Sequence, residues 1–236
     1  MTAALGTRVR MVRWVAGTVG ALCGRTVTGS LRVLLYHSVG SDIPWATYGL
    51  SISPKRFEQH MRWLKQESGC RLVGLEDGVR RLADRPDGPF VAVTFDDGFR
   101  DNLGVAAPIL RSLDIPFTVL VTAAFIRQAE QGDALFLTGA ELRDLAGLPG
   151  VTVGAHGMSH RPLTRLEQAM LHRELAEAKQ RLEDVTGKAV AMLSYPHGAV
   201  NALVRRTAVA CGFRLAATSF HGLNRPGTPP LMLRRT

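Results

Sequence analysis

Val91-Ala92-Val93-Thr94-Phe95-Asp96-Asp97-Gly98-Phe99-Arg100-Asp101-Asn102 is the stretch on which the reading of this 236-residue chain turns. Residues 90–95 are apolar apart from one threonine, the pattern of a buried strand. Two adjacent carboxylates stand at the strand's C-terminal end, just before a glycine. Successive strand residues point to opposite faces, so Asp96 and Asp97 diverge unless the glycine re-aims them. In a parallel sheet or barrel, catalytic side chains gather at this end of the strands. An isolated Asp-Asp-Gly is more often a polar turn with a helix cap behind it. The histidines downstream alter that balance.

They lie in Gly154-Ala155-His156-Gly157-Met158-Ser159-His160, directly after a short strand at 151–153. Two imidazoles four residues apart can meet one ion. Two histidines and one carboxylate make the usual protein share of a catalytic metal's ligands, leaving positions for water and substrate. Alone, this histidine spacing is weak evidence. Paired with a strand-terminal Asp-Asp-Gly about sixty residues upstream, it is a specific constellation.

Thr94 to Gly98, then His156 to His160, then Tyr195-Pro196-His197-Gly198 resemble, in that order, the motifs of the polysaccharide deacetylases (the NodB-homology, or carbohydrate esterase family 4, domain). Leu34-Leu35-Tyr36-His37-Ser38 resembles the start of the circularly permuted branch that includes poly-N-acetylglucosamine deacetylases. The resemblance runs from about Leu31 to the C-terminus. It implies a single α/β domain over 31–236, folded as a distorted, incomplete (β/α) barrel, commonly of seven strands. It further implies metal-dependent removal of N-acetyl groups from an amino-sugar polymer or glycoconjugate. Asp97, His156 and His160 would hold one divalent ion, with zinc the first expectation. Asp96 would be the general base and His37 the general acid. The backbone N–H of His197 would face the developing oxyanion, and Tyr195 and Pro196 would line the acetyl pocket. Three positions depart from the common pattern. Ser194 stands where many members carry an arginine that orients the catalytic aspartate, and Arg235 is the candidate replacement. His197 occupies a frequent tyrosine position, and Gly157 replaces a common Ser or Thr, which removes a hydroxyl but no ligand.

Strand and helix alternate along the rest of the chain, which argues for a parallel sheet or barrel. A strand is expected at 31–36, a helix opening at Ser53-Pro54 with Phe57, Met61 and Leu64 on one face, and a second helix at 75–83. A helix should follow the Asp-Asp-Gly to about Leu113, bent or divided at Pro108, with a strand at 116–122 and a helix at 138–145 beyond it. The spacing of Thr164 and Glu167 suggests a capping box for the longest helix, reaching about Val185. A strand at 189–193, a helix capped by Asn201, and a strand at 213–218 complete the series. The sequence ends at Thr236, so the last barrel strand is expected to be short or missing. Trp45 and Tyr48 are candidate sugar-stacking surfaces, although aromatics tucked under a loop are the commoner case.

Net charge is +9. Such a surface suits acidic polymers, anionic lipid or nucleic acid, but no nucleic-acid motif accompanies it, and none is expected as a partner. Cys23, Cys70 and Cys211 form neither a metal signature nor a disulfide framework, which favours a reducing compartment. Arg8, Arg10 and Arg13 precede an apolar run at 14–24 that is too short to span a bilayer. This run loosely imitates a secretory signal without a clear cleavage site. A cytoplasmic or membrane-peripheral protein, with 1–30 as a basic contact segment, is therefore favoured over a secreted one. The oligomeric state is left open. Two other functions fit the same motifs: a deacylase of a small intracellular N-acyl sugar metabolite, or a catalytically idle carbohydrate-binding relative, suggested by Ser194 and the early C-terminus. No His-Glu-x-x-His and no Gly-x-Ser-x-Gly elbow points to a metalloprotease or serine hydrolase.

Overall fold

Strand alternation builds the fold and then sets the site. The computed structural model describes residues 27–46, 49–84 and 86–236. Tyr48, Cys23 and nearly all of the basic N-terminal segment lie outside the described residues. In chain order the elements are β1 (Ser30–Tyr36), β2 (Ser38–Val39), β3 (Ser51–Ile52), α1 (Pro54–Gln66), β4 (Arg71–Leu72) and α2 (Leu75–Asp84). The central strand β5 (Pro89–Asp97) follows, then α3 (Ala107–Ser112), β6 (Phe117–Val121), α4 (Ala123–Glu130), α5 (Gly139–Gly147) and β7 (Val151–Ala155). The chain continues with α6 (Gln168–Thr186), β8 (Met192–Ser194), α7 (Ala202–Ala210), β9 (Leu215–His221) and β10 (Leu233–Arg235).

Seven strands lie in the order β1-β5-β6-β7-β8-β9-β10, every neighbouring pair parallel. β4 pairs only with the start of β5, at Phe90 and Val91, and β6 joins β5 from Val93 onward. The two edges of the sheet meet. The Leu35 N–H donates to the Thr236 carbonyl and the Thr236 N–H donates to that of Val33, both at 2.9 Å. Asn224 bolts the same seam: its Nδ2 donates to the carbonyls of Leu31 (3.2 Å) and Arg234 (3.0 Å), and its Oδ1 accepts from the Arg234 N–H (2.8 Å). The sheet is thus a nearly closed, seven-stranded (β/α) barrel. Its last strand is present and three residues long.

Alternation sorts the side chains into two cores. Val91, Val93 and Phe95 of β5 face outward into the large cluster under the helices, with Phe57, Phe117 and Leu171. Phe90 and Ala92 face the barrel interior, with Leu31, Val33, Leu120, Met192 and Leu233. The same parity carries Asp96 inward from Ala92, Ser194 from Met192, and Arg235 from Leu233. Gly154 lies on the inward face of β7, where an added Cβ would stand 2.6 Å from Leu120 Cδ2 and 2.9 Å from the Met192 carbonyl.

Helix starts follow the capping residues in three places. Ser53, Thr138 and Asn201 each accept from the backbone three residues on, and Thr138 forms a full capping box with Glu141. Thr164 does not. Residues Leu163–Arg165 form a 3₁₀ turn that uses the Leu166 N–H, so the long helix begins at Gln168 with Glu167 as an uncapping N-cap. Pro108 sits in the first turn of α3, where a missing N–H is harmless, and a π-helical turn at Asn102–Ala106 precedes it. α4 has no counterpart among the expected elements, and β9 runs three residues beyond the expected end.

Candidate active site

The barrel mouth collects the strand ends. β5 runs through both aspartates, and parity alone would send Asp97 outward with Val93 and Phe95. Two consecutive left-handed residues prevent this: Asp97 at φ 74 and Gly98 at φ 83. Only glycine fits the second position, because a Cβ there would lie 2.9 Å from Val121 Cγ1. The turn brings Asp97 Oδ1 within 3.6 Å of His156 Nε2 and 3.3 Å of His160 Nε2. Ligand atoms of the three residues lie within 4.8 Å of one another. His160 (φ 59) and His197 (φ 57) are also left-handed, so three of the four non-glycine residues with positive φ among the described residues stand at this mouth. Such strain collects at functional sites.

The cluster fits a cation. Asp97 Oδ1 is buried without a hydrogen-bond donor among the described residues, an expensive state for a carboxylate. His156 Nδ1 donates to the Ser194 carbonyl at 2.9 Å, leaving the Nε2 lone pair turned toward the aspartates. Burial, aided by the charge of Asp96, pushes Asp97 up to about 7. Burial, then His156 and His197, lowers His160 to about 3, and burial lowers His156. Neutral imidazoles and a carboxylate short of positive charge are what a divalent ion requires.

Asp96 is in a different state. It is 2% exposed and gripped by the Arg235 fork, with Nη1 donating to Oδ1 and Nη2 to Oδ2, both at 2.7 Å. Ser194 Oγ donates to Asp96 Oδ2 (2.9 Å) while accepting from Arg235 Nη2 (2.8 Å), and Arg235 Nε donates to the Thr218 carbonyl (2.9 Å). Burial would raise this carboxyl, but the Arg235 and His156 charges outweigh it and hold Asp96 well below the usual carboxylate range. Its Oδ2 is 3.7 Å from His156 Nε2. Ser194 and Arg235 thus form one network around Asp96.

His37 follows β1, whose Tyr36 pairs with Phe95, so His37 stands level with Asp96 in the sheet. Burial lowers its pKa, Asp96 opposes this, and Arg235 adds to it. His197 is exposed, its Nε2 donates to the His160 carbonyl (3.1 Å), and the two rings lie 4.6 Å apart. Pro196 packs where a Cβ on Gly157 would meet it, and Glu174 Oε1 crowds the same space. Gly157 is also left-handed (φ 77), the conformation that favours glycine. Tyr195 departs from the expected pocket-lining role: its ring is fully buried in the outer core and its hydroxyl donates to the Leu231 carbonyl (3.1 Å). Trp45 is 57% exposed on the loop beyond β2. Glu174, on α6, was not marked by any sequence signal. It accepts from the Ser159 N–H (2.6 Å) and hydroxyl (3.0 Å), between the two histidine ligand candidates.

A family model described as polysaccharide deacetylase matches residues 83–216. Over 193 residues the chain is 27% identical to YxkH of Bacillus subtilis (strain 168), whose name assigns it provisionally to the polysaccharide deacetylases. That alignment takes in 81% of this chain and 65% of YxkH, so the chain spans a little under two thirds of the curated relative's length. Among solved structures, the Streptococcus pyogenes deacetylase PplD in complex with acetate is 25% identical, with TM-score 0.77 over 87% of this chain and 91% of that one. IcaB from Ammonifex degensii is 26% identical, with TM-score 0.76 over 88% and 91%.

Proposed function

The chain belongs to the polysaccharide deacetylase family, and from that premise we propose that it hydrolyses N-acetyl groups on an amino-sugar polymer or glycoconjugate, using one divalent ion. The observation that carries this is the pairing of an ionised, Arg235-clamped Asp96 with an orphaned Asp97 oxygen between two imidazoles. Asp97, His156 and His160 would hold the ion, and their nitrogen and oxygen donors suit zinc. When bound, such an ion polarises the acetyl carbonyl and acidifies water.

The chain's own groups account for the rest. Asp96 accepts the proton of the attacking water as its oxygen bonds to the acetyl carbon. Arg235 keeps Asp96 charged and fixes the carboxylate plane, and Ser194 supplies the third bond that holds it. The His197 N–H, presented by the left-handed turn, is the donor for the carbonyl oxygen as charge gathers there. As the C–N bond breaks, His37 gives a proton to the departing nitrogen. The products are acetate and a free amino sugar.

Ser194 is one of the two grounds for an idle relative, beside the early C-terminus, and its hydroxyl here joins Arg235 on Asp96, which favours turnover. The deciding experiment measures acetate from a panel of N-acetylated sugar monomers, oligomers and conjugates. Release should depend on a divalent ion, stop with a chelator and return with zinc. A zinc-loaded protein that frees no acetate from any of them sinks the proposal.

A further inference from the structure

Asp101 and Asn102 end the stretch that decides the fold, yet neither belongs to the metal cluster. Their position suggests a plain role, since a carboxylate just ahead of a helical turn ordinarily caps it. Asp101 does head the π-helical turn, but its side chain makes no capping bond and its backbone is already helical (φ −67, ψ −14). Both side chains reach instead for the segment that leaves β1. Asn102 Nδ2 donates to the His37 carbonyl at 2.8 Å. Asp101 Oδ2 accepts from Ser38 Oγ (2.5 Å), Ser41 Oγ (2.6 Å) and the Ser41 N–H (3.2 Å). Asn102 Nδ2 also reaches Asp101 Oδ1 at 3.1 Å, which couples the pair. Both residues are buried, where polar groups are costly unless bonded. Their partners all lie on the segment that begins with His37 or on each other.

The His37 ring itself makes no hydrogen bond among the described residues. Its place beside Asp96 is therefore set by its main chain. We infer that Asp101 and Asn102 are positioning residues for the proton donor: they anchor the backbone of residues 37–41 so that the His37 imidazole is delivered to the leaving nitrogen. The inference rests on the proposed role of His37 as general acid. It explains why a single segment holds both the base and the anchor of the acid. Asp96 and Asp97 work at the end of β5, and one turn later the same chain reaches across to the neighbouring strand end.

The test uses the zinc-loaded full chain with N-acetylglucosamine oligosaccharides. Zinc affinity, melting temperature, kcat and KM are measured for Asn102→Ala, Asp101→Asn and Ser41→Ala, alone and combined with His37→Ala. Misplacing a catalytic group by about 1 Å can cost roughly 100-fold. Asn102→Ala should therefore lower kcat about 10- to 100-fold, with zinc affinity and KM within about threefold. Ser41→Ala should show the same pattern more weakly. In the His37→Ala background these losses should vanish, because no donor remains to be positioned. Equal losses with and without His37, or a loss carried by zinc affinity, overturn the positioning role alone. A fully active His37→Ala protein overturns the general-acid role and this inference with it. Should Asn102→Ala fail to fold, Ser41→Ala and Asp101→Asn decide the matter in the same cycle.

Discussion

Two adjacent aspartates face opposite electrostatic demands, and single substitutions separate them. Asp96→Asn should retain zinc while losing turnover by about 10²–10⁴-fold, the range for a lost general base. Asp97→Asn should weaken zinc itself, read by titration against a chromogenic chelator. Equal zinc loss in both would reverse the assignment. Arg235 gives a prediction with a sign. The guanidinium favours the charged form of Asp96, so Arg235→Lys, which keeps a charge but not the fork, should raise the Asp96 pKa. The acid limb of the kcat/KM profile should then move to higher pH, and an unmoved limb would show that Asp96 is not the titrating base. Arg235→Ala would also leave a buried carboxylate unpaired, at about 3–5 kcal/mol of stability. At this scale much could be read from the sequence. Asp96, Asp97, His156 and His160 are legible because two strand-end motifs, each common alone, occur together in one chain. Ser194 and Glu174 are not, since a serine or a helical glutamate is common anywhere, and only the fold shows what each one touches.

Elements were legible where periodicity or a cap marked them, as in α1, α5 and α7, and not where a neighbouring bond decided the boundary. The 3₁₀ turn before α6 takes the N–H that a capping box at Thr164 would have left free. Strand β5 outruns its apolar residues because its last two positions pair with Leu120 and Val121 of β6, which no pattern in β5 announces. α6 offers its own test. Glu174 reaches from this helix to Ser159, between the two histidine ligand candidates, and Glu174→Ala should relax that loop. Zinc affinity should fall about 10- to 100-fold, as for other residues that orient ligands, with melting temperature of the metal-free protein little changed. Unaltered zinc affinity would reduce the Glu174 contact to surface packing. On β7, Gly154→Ala should cost about 1–3 kcal/mol through overpacking against Leu120 and Met192, measured by denaturant unfolding.

For the whole molecule, what matters is the seam between β1 and β10. Asn224→Ala would strand the Arg234 N–H and the Arg234 carbonyl, at about 1–3 kcal/mol for each group left unpaired, while the Leu31 carbonyl keeps the backbone N–H of residue 224. Since Arg235 is the next residue, kcat should fall along with the melting temperature, and intact activity in a destabilised variant would show that seam and site are independent. The barrel was legible as alternating strands and helices; its closure was not, because seam contacts join residues about two hundred positions apart and leave no local pattern. Asp96 and Arg235 are themselves 139 positions apart. During synthesis the base is therefore made long before its cation, and every partly built chain carries it unclamped. On the proposed function, such a chain should release no acetate until β10 has docked and brought Arg235 to Asp96.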